Sequence, residues 1–519
     1  MDTDLQLSAN QATSPTYIFV RWLFLRGLGF VYFVAFASIF VQVLGLIGSH
    51  GILPAHLFLK EVGANSSSTP FLSVPTLFWI DCSDTALRFL PGLGIVFSMF
   101  IMAGICSGPL LILLWLMYLS VVTVGGDFMG FQWDALLLEV GFLSIFFAHY
   151  KWLDLPLKSR DERAKLPAPS IVVLWLFRFL LFKLMLSSGC VKLLSGDLTW
   201  KNLSALHYHY WTQPLPTPLG WCAAQLPDWF QSLSVAIMFF IELIVPFFIF
   251  VPGILRLFAA YLTMLLQVLI LLTGNYTFFN ILTLLLCLLL FDDSIFLKLK
   301  NYRFAKKLID ASVVRPASVL TKLRLAALVT VVVIMTLSRS VSFVPEPIKE
   351  LSSALSPWCL VNGYGLFAVM TTTRNEIVVE ASQDALHWEP YEFIFKPGDI
   401  SRAPPWVAPY QPRLDWQMWF AALGTRQDSP WFTHFIFQLL RGSADVRALL
   451  KKEPFNGQLP KYVRATLYEY QFTNFAELTR SGAWWQRKYI GPFFPEASLR
   501  QPIDKTGDGQ GYGDGLQAQ

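Results

Sequence analysis

Charge is scarce in this 519-residue chain. Only 14% of its residues are Asp, Glu, Lys or Arg, where a soluble domain carries about 25%. That excludes an intrinsically disordered or strongly soluble class. Cysteine is scarce as well, with six in the whole chain, too few for a disulfide scaffold. The signatures of common soluble enzymes are missing: no Walker loop, no dinucleotide-binding glycine pattern, no HExxH, no GxSxG and no CxxC. The net charge of +5 is too small for a nucleic-acid stripe, and no basic polymer-binding run stands out. The first sixteen residues hold Asp2 and Asp4 and no basic residue, so they lack the positive start of a cleaved signal peptide.

What the chain has is apolar sequence, 54% of it hydrophobic and 15% aromatic. Apolar windows fall at 20–47, 89–105, 109–125, 135–150, 170–192, 231–252, 254–273, 276–291 and 322–338. Most approach the 17–25 residues that a helix needs to cross a bilayer. Asp134 and Glu139 make the fourth window the weakest. The pattern predicts a polytopic α-helical membrane protein with about nine transmembrane helices.

Basic residues orient that bundle. One loop holds Lys151, Lys158, Arg160, Arg163 and Lys165; another holds Lys298, Lys300, Arg303, Lys306, Lys307 and Arg315, with Lys322 and Arg324 just beyond. Basic loops stay cytoplasmic, and four intervening spans put both on one side. After position 338, eighteen basic residues meet eighteen acidic ones, so the whole excess lies in the bundle. The reading is a cytoplasmic N-terminus over 1–19, a bundle over 20–338, and a β-rich α+β extracytoplasmic domain over 339–500. A disordered Gly-, Asp- and Gln-rich tail follows over 501–519. The outer compartment is the ER lumen in a eukaryote or the periplasm in a bacterium. Cys82, Cys190, Cys222 and Cys359 approach that oxidising side, where one or two disulfides are permitted. Asn65, Asn202 and Asn275 open N-x-S/T triplets there.

In the C-terminal region, alternation over 376–380, 391–396 and 461–472 predicts strands. The stretches 432–441 and 444–452 read as helices. Pro404, Pro405 and Pro409 keep their segment extended. Arg413 and Asp415 are placed to pair on one strand face. Trp416 and Trp419, like Trp484 and Trp485, serve equally as core or as a protein-contact surface.

The densest polar stretch is 187–220. Lys192 ends the fifth window, followed by Trp200, His207 and His209. Lys192 is either functional or a cation reaching for the interface. His207 and His209 share a face on a strand but diverge on a helix, and no third metal ligand is evident. Arg178 and Lys183 lie inside the same window. Unpaired charge in lipid is costly, so they are expected to pair across helices, with Asp134 and Glu139 as the available carboxylates, or to line a wet cavity as part of a candidate membrane site with Lys192, Trp200, His207 and His209.

Several long segments then resemble the lipase maturation factors: FQWDALLLEVGF (131–142), the SGCVKLLSGDLTWKNLSALHYHYWTQPLPTPLGW run (188–221), VNGYGLFAVMTTTRNEIVVE (361–380), YEFIFKPGD (391–399) and APYQPRLDWQMWFAALG (408–424). Their order and length make the resemblance specific over about 15–497. It implies an ER membrane protein that helps secreted homodimeric lipases fold and assemble, without a cofactor, and a lumenal C-terminal domain implicated in client binding. Arg413, Asp415, Trp416 and Trp419 become signature positions. The 187–211 stretch is more distantly similar to the membrane domain of vitamin K-dependent carboxylases, which implies Lys192 as a candidate catalytic base. The favoured reading is a maturation factor whose partners are a secreted client and the bilayer.

Overall fold

The computed structural model describes residues 16–65, 70–153, 166–298, 303–310, 312–313, 316, 318–340, 344–499 and 516–518. Most of the 1–19 segment and of the 501–519 tail, and Lys158, Arg160, Arg163, Lys165, Lys300 and Arg315, lie outside the described residues.

All nine apolar windows form helix. They are α1 (Ile18–Ile47), α2 (Asp84–Ala103), α3 (Ser107–Val124), α4 (Gln132–Phe147) and α5 (Ile171–Leu194). After a short helix rich in aromatic and histidine residues, α6 (Ala205–Thr212), come α7 (Asp228–Phe239), α8 (Ile254–Thr273), α9 (Phe279–Leu288) and α10 (Val319–Ser340). Among the described residues, seven helices are long and apolar enough to cross a membrane, counting α7 with its irregular continuation to Phe250. The 135–150 and 276–291 windows fall short, at 16 residues in α4 and 10 in α9. In α9 the chain stays non-helical through 274–278 because Asn275 turns its side chain onto neighbouring backbone rather than letting the helix start earlier.

The 30-residue α1 spans about 45 Å at helical rise, more than the roughly 30 Å of hydrocarbon. Its first turn is held by the buried Asp293 carboxylate, which accepts from Thr16 Oγ1 (2.8 Å), Ile18 N–H (2.7 Å) and Val20 N–H (3.0 Å). An anion at a helix start satisfies orphan donors and meets the positive end of the dipole. Nearby, β1 (Leu166–Pro167) pairs in parallel with β2 (Ser312–Val313), and the Arg21 guanidinium donates to Pro167 O at 2.7 Å. The segments that flank both basic loops therefore gather at the end of the bundle where α1 begins.

The C-terminal region sits at the other end. Its five-stranded antiparallel sheet has the order β4 (Glu389–Pro390), β3 (Arg374–Ser382), β7 (Tyr462–Phe472), β8 (Trp485–Leu499), β9 (Leu516–Ala518). β5 (Glu392–Phe393) and β6 (Leu450–Lys452) form a second pair. Helices α11 (Arg413–Leu423) and α12 (Pro430–Arg441) pack between sheet and bundle. One buried core runs without a break from Phe24 and Leu114 in the bundle through Trp416 to Phe432 and Val463.

Several expectations change. The 391–396 run is strand only at Glu392–Phe393, because the Phe395 and Lys396 N–H groups turn onto Asp415. The 444–452 run breaks into a one-turn helix, Ala444–Arg447, and then β6. Arg413 and Asp415 are helical, with Pro412 immediately before the first turn, and they do not pair with each other.

Candidate functional site at the seam between bundle and domain

The charged residues that the bundle cannot leave in lipid are used to hold the domain. Arg413, in the first turn of α11, reaches Asp134 of α4 through two bonds, Nη1 to Oδ2 at 3.0 Å and Nη2 to Oδ1 at 2.9 Å. Its Nη1 also donates to Phe128 O at 2.6 Å, and Tyr118 donates its hydroxyl to Asp134 Oδ1. Both partners are fully buried. Such fork-to-fork pairing fixes geometry as well as charge. Gln42 of α1 accepts from the Arg413 N–H at 2.9 Å and donates to Gln411 O at 2.8 Å.

A second bridge joins Lys183 Nζ to Glu139 Oε1 at 2.6 Å. The other Glu139 oxygen accepts from Asn362 N–H (2.7 Å) and the Tyr364 hydroxyl (2.8 Å). The expected cross-helix pairing of Lys183 thus recruits the 361–365 segment too. Arg178 instead donates to the Tyr17 hydroxyl (3.1 Å) and Leu289 O (3.4 Å). Asp134, the carboxylate that remained for it, belongs to Arg413.

The third bridge is Arg374 of β3. It pairs with Glu376 at 2.6 Å and donates to the carbonyls of Trp211 (2.8 Å), Gln213 and Pro214 (2.9 Å). Lys396 Nζ reaches the second Glu376 oxygen at 3.0 Å and donates to Ile377 O and Pro397 O. Asn275 completes the seam, donating to Leu215 O, Pro216 O and Pro405 O and accepting from Val407 and Ala408 N–H. It is 2% exposed, so its N-x-T triplet offers no accessible glycan acceptor in this fold, whereas Asn65 and Asn202 are exposed.

Lys192 lies under the same seam. Its Nζ reaches Glu242 Oε2 (2.7 Å), Glu242 Oε1 (2.9 Å) and Ser188 O (3.1 Å). It also stands 5.5 Å from the centre of the Trp200 ring. Glu242 sits in a single π-helical turn, Phe240–Ile244, that swells α7. Trp200 Nε1 donates to Phe367 O at 3.1 Å, and Asp197 accepts from Met370 N–H at 2.6 Å. His209 Nε2 lies 3.1 Å from the Tyr276 hydroxyl, which donates to Gln213 Oε1 at 2.8 Å. Burial, reinforced by the positive charge of Lys192, pushes the His209 imidazole down to about 4. His207 and His209 are on α6, a helix, so they diverge as that geometry requires. His207 faces Asp228 at 3.3 Å.

The aromatic candidates are placed as core. Trp416 and Trp419 are 3% and 8% exposed. Trp416 packs against Trp133 with ring centres 4.6 Å apart, and Trp419 Nε1 donates to Thr212 O at 2.8 Å. Trp485 is buried beneath Arg374, and Trp484 is half-buried against Trp221. Asp415 is buried and accepts from two N–H groups, 2.8 Å each; burial holds its carboxyl above the ordinary range, opposed by those bonds. All six cysteines are free thiols. The sequence reading missed Glu242, Asn275, Glu376 and Arg374. A lone acid inside the 231–252 window was the available signal for Glu242. Nothing local marked the other three.

Residues 19–298 match the family model described as Lipase maturation factor transmembrane domain, and residues 360–495 match Lipase maturation factor C-terminal domain. The chain is 37% identical to Lipase maturation factor 2 of Gallus gallus, covering 93% of this chain and 82% of that one. It is 36% identical to Lipase maturation factor 2 of Homo sapiens, covering 94% and 84%. It is 35% identical to Lipase maturation factor 1 of Mus musculus, covering 95% and 90%. No solved structure matches.

Proposed function

The chain belongs to the lipase maturation factor family, and from that premise we propose that it is a multi-pass membrane protein whose C-terminal domain assists the folding or assembly of secreted lipases. The observation that carries this reading is the position of that domain, seated on the bundle end remote from the basic loops. Basic loops are retained in the cytoplasm, so the N-terminus is cytoplasmic and the domain extracytoplasmic, in the ER lumen of a eukaryotic host. A folding assistant must bind a partly folded client better than the finished one, which calls for accessible apolar surface. With Trp416 and Trp419 in the core, that surface falls to Trp406, Phe475, Tyr489 and Ile490, all exposed on the domain.

The membrane-enzyme alternative draws no support from Lys192. Three acceptors lie within 3.1 Å of its Nζ, two of them the oxygens of Glu242, the arrangement of a buried structural ion pair.

The test is co-expression with a secreted homodimeric lipase in cells that lack a maturation factor. Secreted lipase activity is expected to rise with the full chain. A photo-crosslinker at Tyr489 or Phe475 is expected to capture the lipase, while one at the cytoplasmic-side Lys307 is not. Equal capture at both ends, or no gain in secreted activity, overturns the proposal.

A further inference from the structure

The bundle end that carries the basic loops presents a surface that client maturation does not use. Its centre is the short helix Arg303–Asp310. Phe304, Ala305, Leu308 and Ile309 form one face of that helix. Ala305 and Leu308 are buried, Leu308 in a small core with Ile18 and Leu166, and the Phe304 ring stands 5.0 Å from Trp22. The apolar face is therefore seated on this chain through Ala305 and Leu308, while Phe304 stays partly exposed at its edge. Arg303, Lys306 and Lys307, at i, i+3 and i+4, share the opposite face and are exposed. Lys298, at the end of the preceding turn, is exposed too.

Asp310 ends the same helix and is exposed, leaving three cations to one acid there, and the two acids of the preceding turn are engaged elsewhere. Asp293 holds the start of α1, and Asp292 faces Arg256 at 3.4 Å. Among the described residues, no carboxylate pairs with Lys298, Arg303, Lys306 or Lys307. The aromatic group Phe19, Trp22, Phe296 and Phe304 packs at the same level, and such aromatics mark the headgroup layer of a membrane protein. The start of α10 repeats the pattern, with exposed Val319, Leu320 and Leu323 beside exposed Lys322 and Arg324.

We propose that this cationic collar binds anionic phospholipid headgroups of the leaflet it faces. A helix fixed by its apolar side, with three cations held outward and no ion pair to them among the described residues, is complementary to such a leaflet. Anchoring there would set the depth of the bundle and the start of α10.

The full chain, purified in mild detergent and exchanged into nanodiscs, tests this through the lipids it retains, measured by mass spectrometry. In mixed phosphatidylcholine and phosphatidylserine discs, phosphatidylserine is expected to be enriched around the protein, and less so as salt rises. The Arg303→Gln/Lys306→Gln/Lys307→Gln variant is expected to lose about a hundredfold in preference, at about fivefold for each cation. The single Lys307→Gln variant, with a smaller demand on folding, is expected to lose about fivefold. Lys451→Gln/Lys452→Gln, exposed cations on the C-terminal domain, is expected to leave the preference unchanged. Enrichment that survives the triple substitution, enrichment absent in the parent, or equal loss in the control pair each overturns the proposal. Capture of an acidic protein in place of lipid does so as well.

Discussion

The two ends of the helical bundle use the same residue types in opposite ways. At the end where α1 begins, Arg303, Lys306 and Lys307 stand exposed without carboxylate partners among the described residues. At the other end, Arg413, Arg374, Lys183 and Lys396 are buried or nearly so, each against a carboxylate within 3.0 Å. A cation in water contributes charge and little else to folding. A cation under the seam is a cross-link, because removing it strands a buried carboxylate. The difference explains how a domain of 17 basic and 15 acidic residues over 339–500 can be joined to a low-charge bundle through charge. Few ionisable groups are present in the helices, and Asp134, Glu139 and Lys183 among them are committed to holding the domain.

The hardest blow to that contrast falls on Arg413. Arg413→Ala leaves Asp134 buried and unpaired, and the expected loss is about 3–5 kcal/mol, read as a lower Tm or failed accumulation of the full chain. Arg413→Met combined with Asp134→Asn removes both charges and keeps an acceptor for Tyr118, so most of the loss is expected to return. If the double variant is no better than the single one, the pair is not what joins α4 to α11.

Acid attacks the seam through His209. Its folded value of about 4 lies below the ordinary imidazole value of 6.5, so the unfolded chain binds more protons between those limits. Stability is therefore fully present above about pH 6.5 and falls on acidification towards 4, by up to about 3 kcal/mol. His209→Gln is expected to flatten Tm across that window. An unchanged slope means that the imidazole is not buried beside Lys192 and Tyr276 as the structure has it.

Asp415 separates charge from hydrogen bonding. Asp415→Ala removes the acceptor of the Phe395 and Lys396 N–H groups, with an expected cost of about 1–3 kcal/mol. Asp415→Asn keeps an oxygen in place and is expected to cost less. Burial raises this carboxyl, so its contribution favours the folded state at low pH and declines as pH rises through the raised value. The asparagine variant is expected to lose that decline. A larger loss for asparagine than for alanine reverses the assignment.

What the sequence made legible follows from locality. Apolar runs long enough to form spans are visible in any window, and the strands at 374–382 and 462–472 show through their alternation. The Lys183–Glu139 pairing was also foreseeable, because both charges sit in apolar windows and need a partner. Arg413 and Asp134 are 279 positions apart, and no local pattern links them. Arg413-Leu414-Asp415-Trp416 alternates as a strand does, while Trp416 and Trp419, three apart, share a face only on a helix, and packing against Trp133 and Thr212 decides for α11. The same holds for Asn275, whose triplet lies close to the membrane in the sequence and shows nothing of the five backbone groups that close around it.

The smallest effect belongs to pairs outside the seam. Lys349 and Glu346 lie 3.4 Å apart, with side chains 50% and 73% exposed. Solvent screens such a pair, and holding two long side chains in one geometry opposes it, so Lys349→Ala is expected to change stability by no more than about 0.5 kcal/mol. The measurement matters because it shares residue types and nearly the same spacing with the buried bridges. Burial, with the closer contact it holds, distinguishes them. If Lys349→Ala were to cost as much as Arg413→Ala, the contrast between the two kinds of charge would fail. A null result there beside a large one at Arg413 would locate the joining free energy in the seam, where water is excluded and the bridging carboxylates of Asp134, Glu139 and Glu376 each face at least one cation.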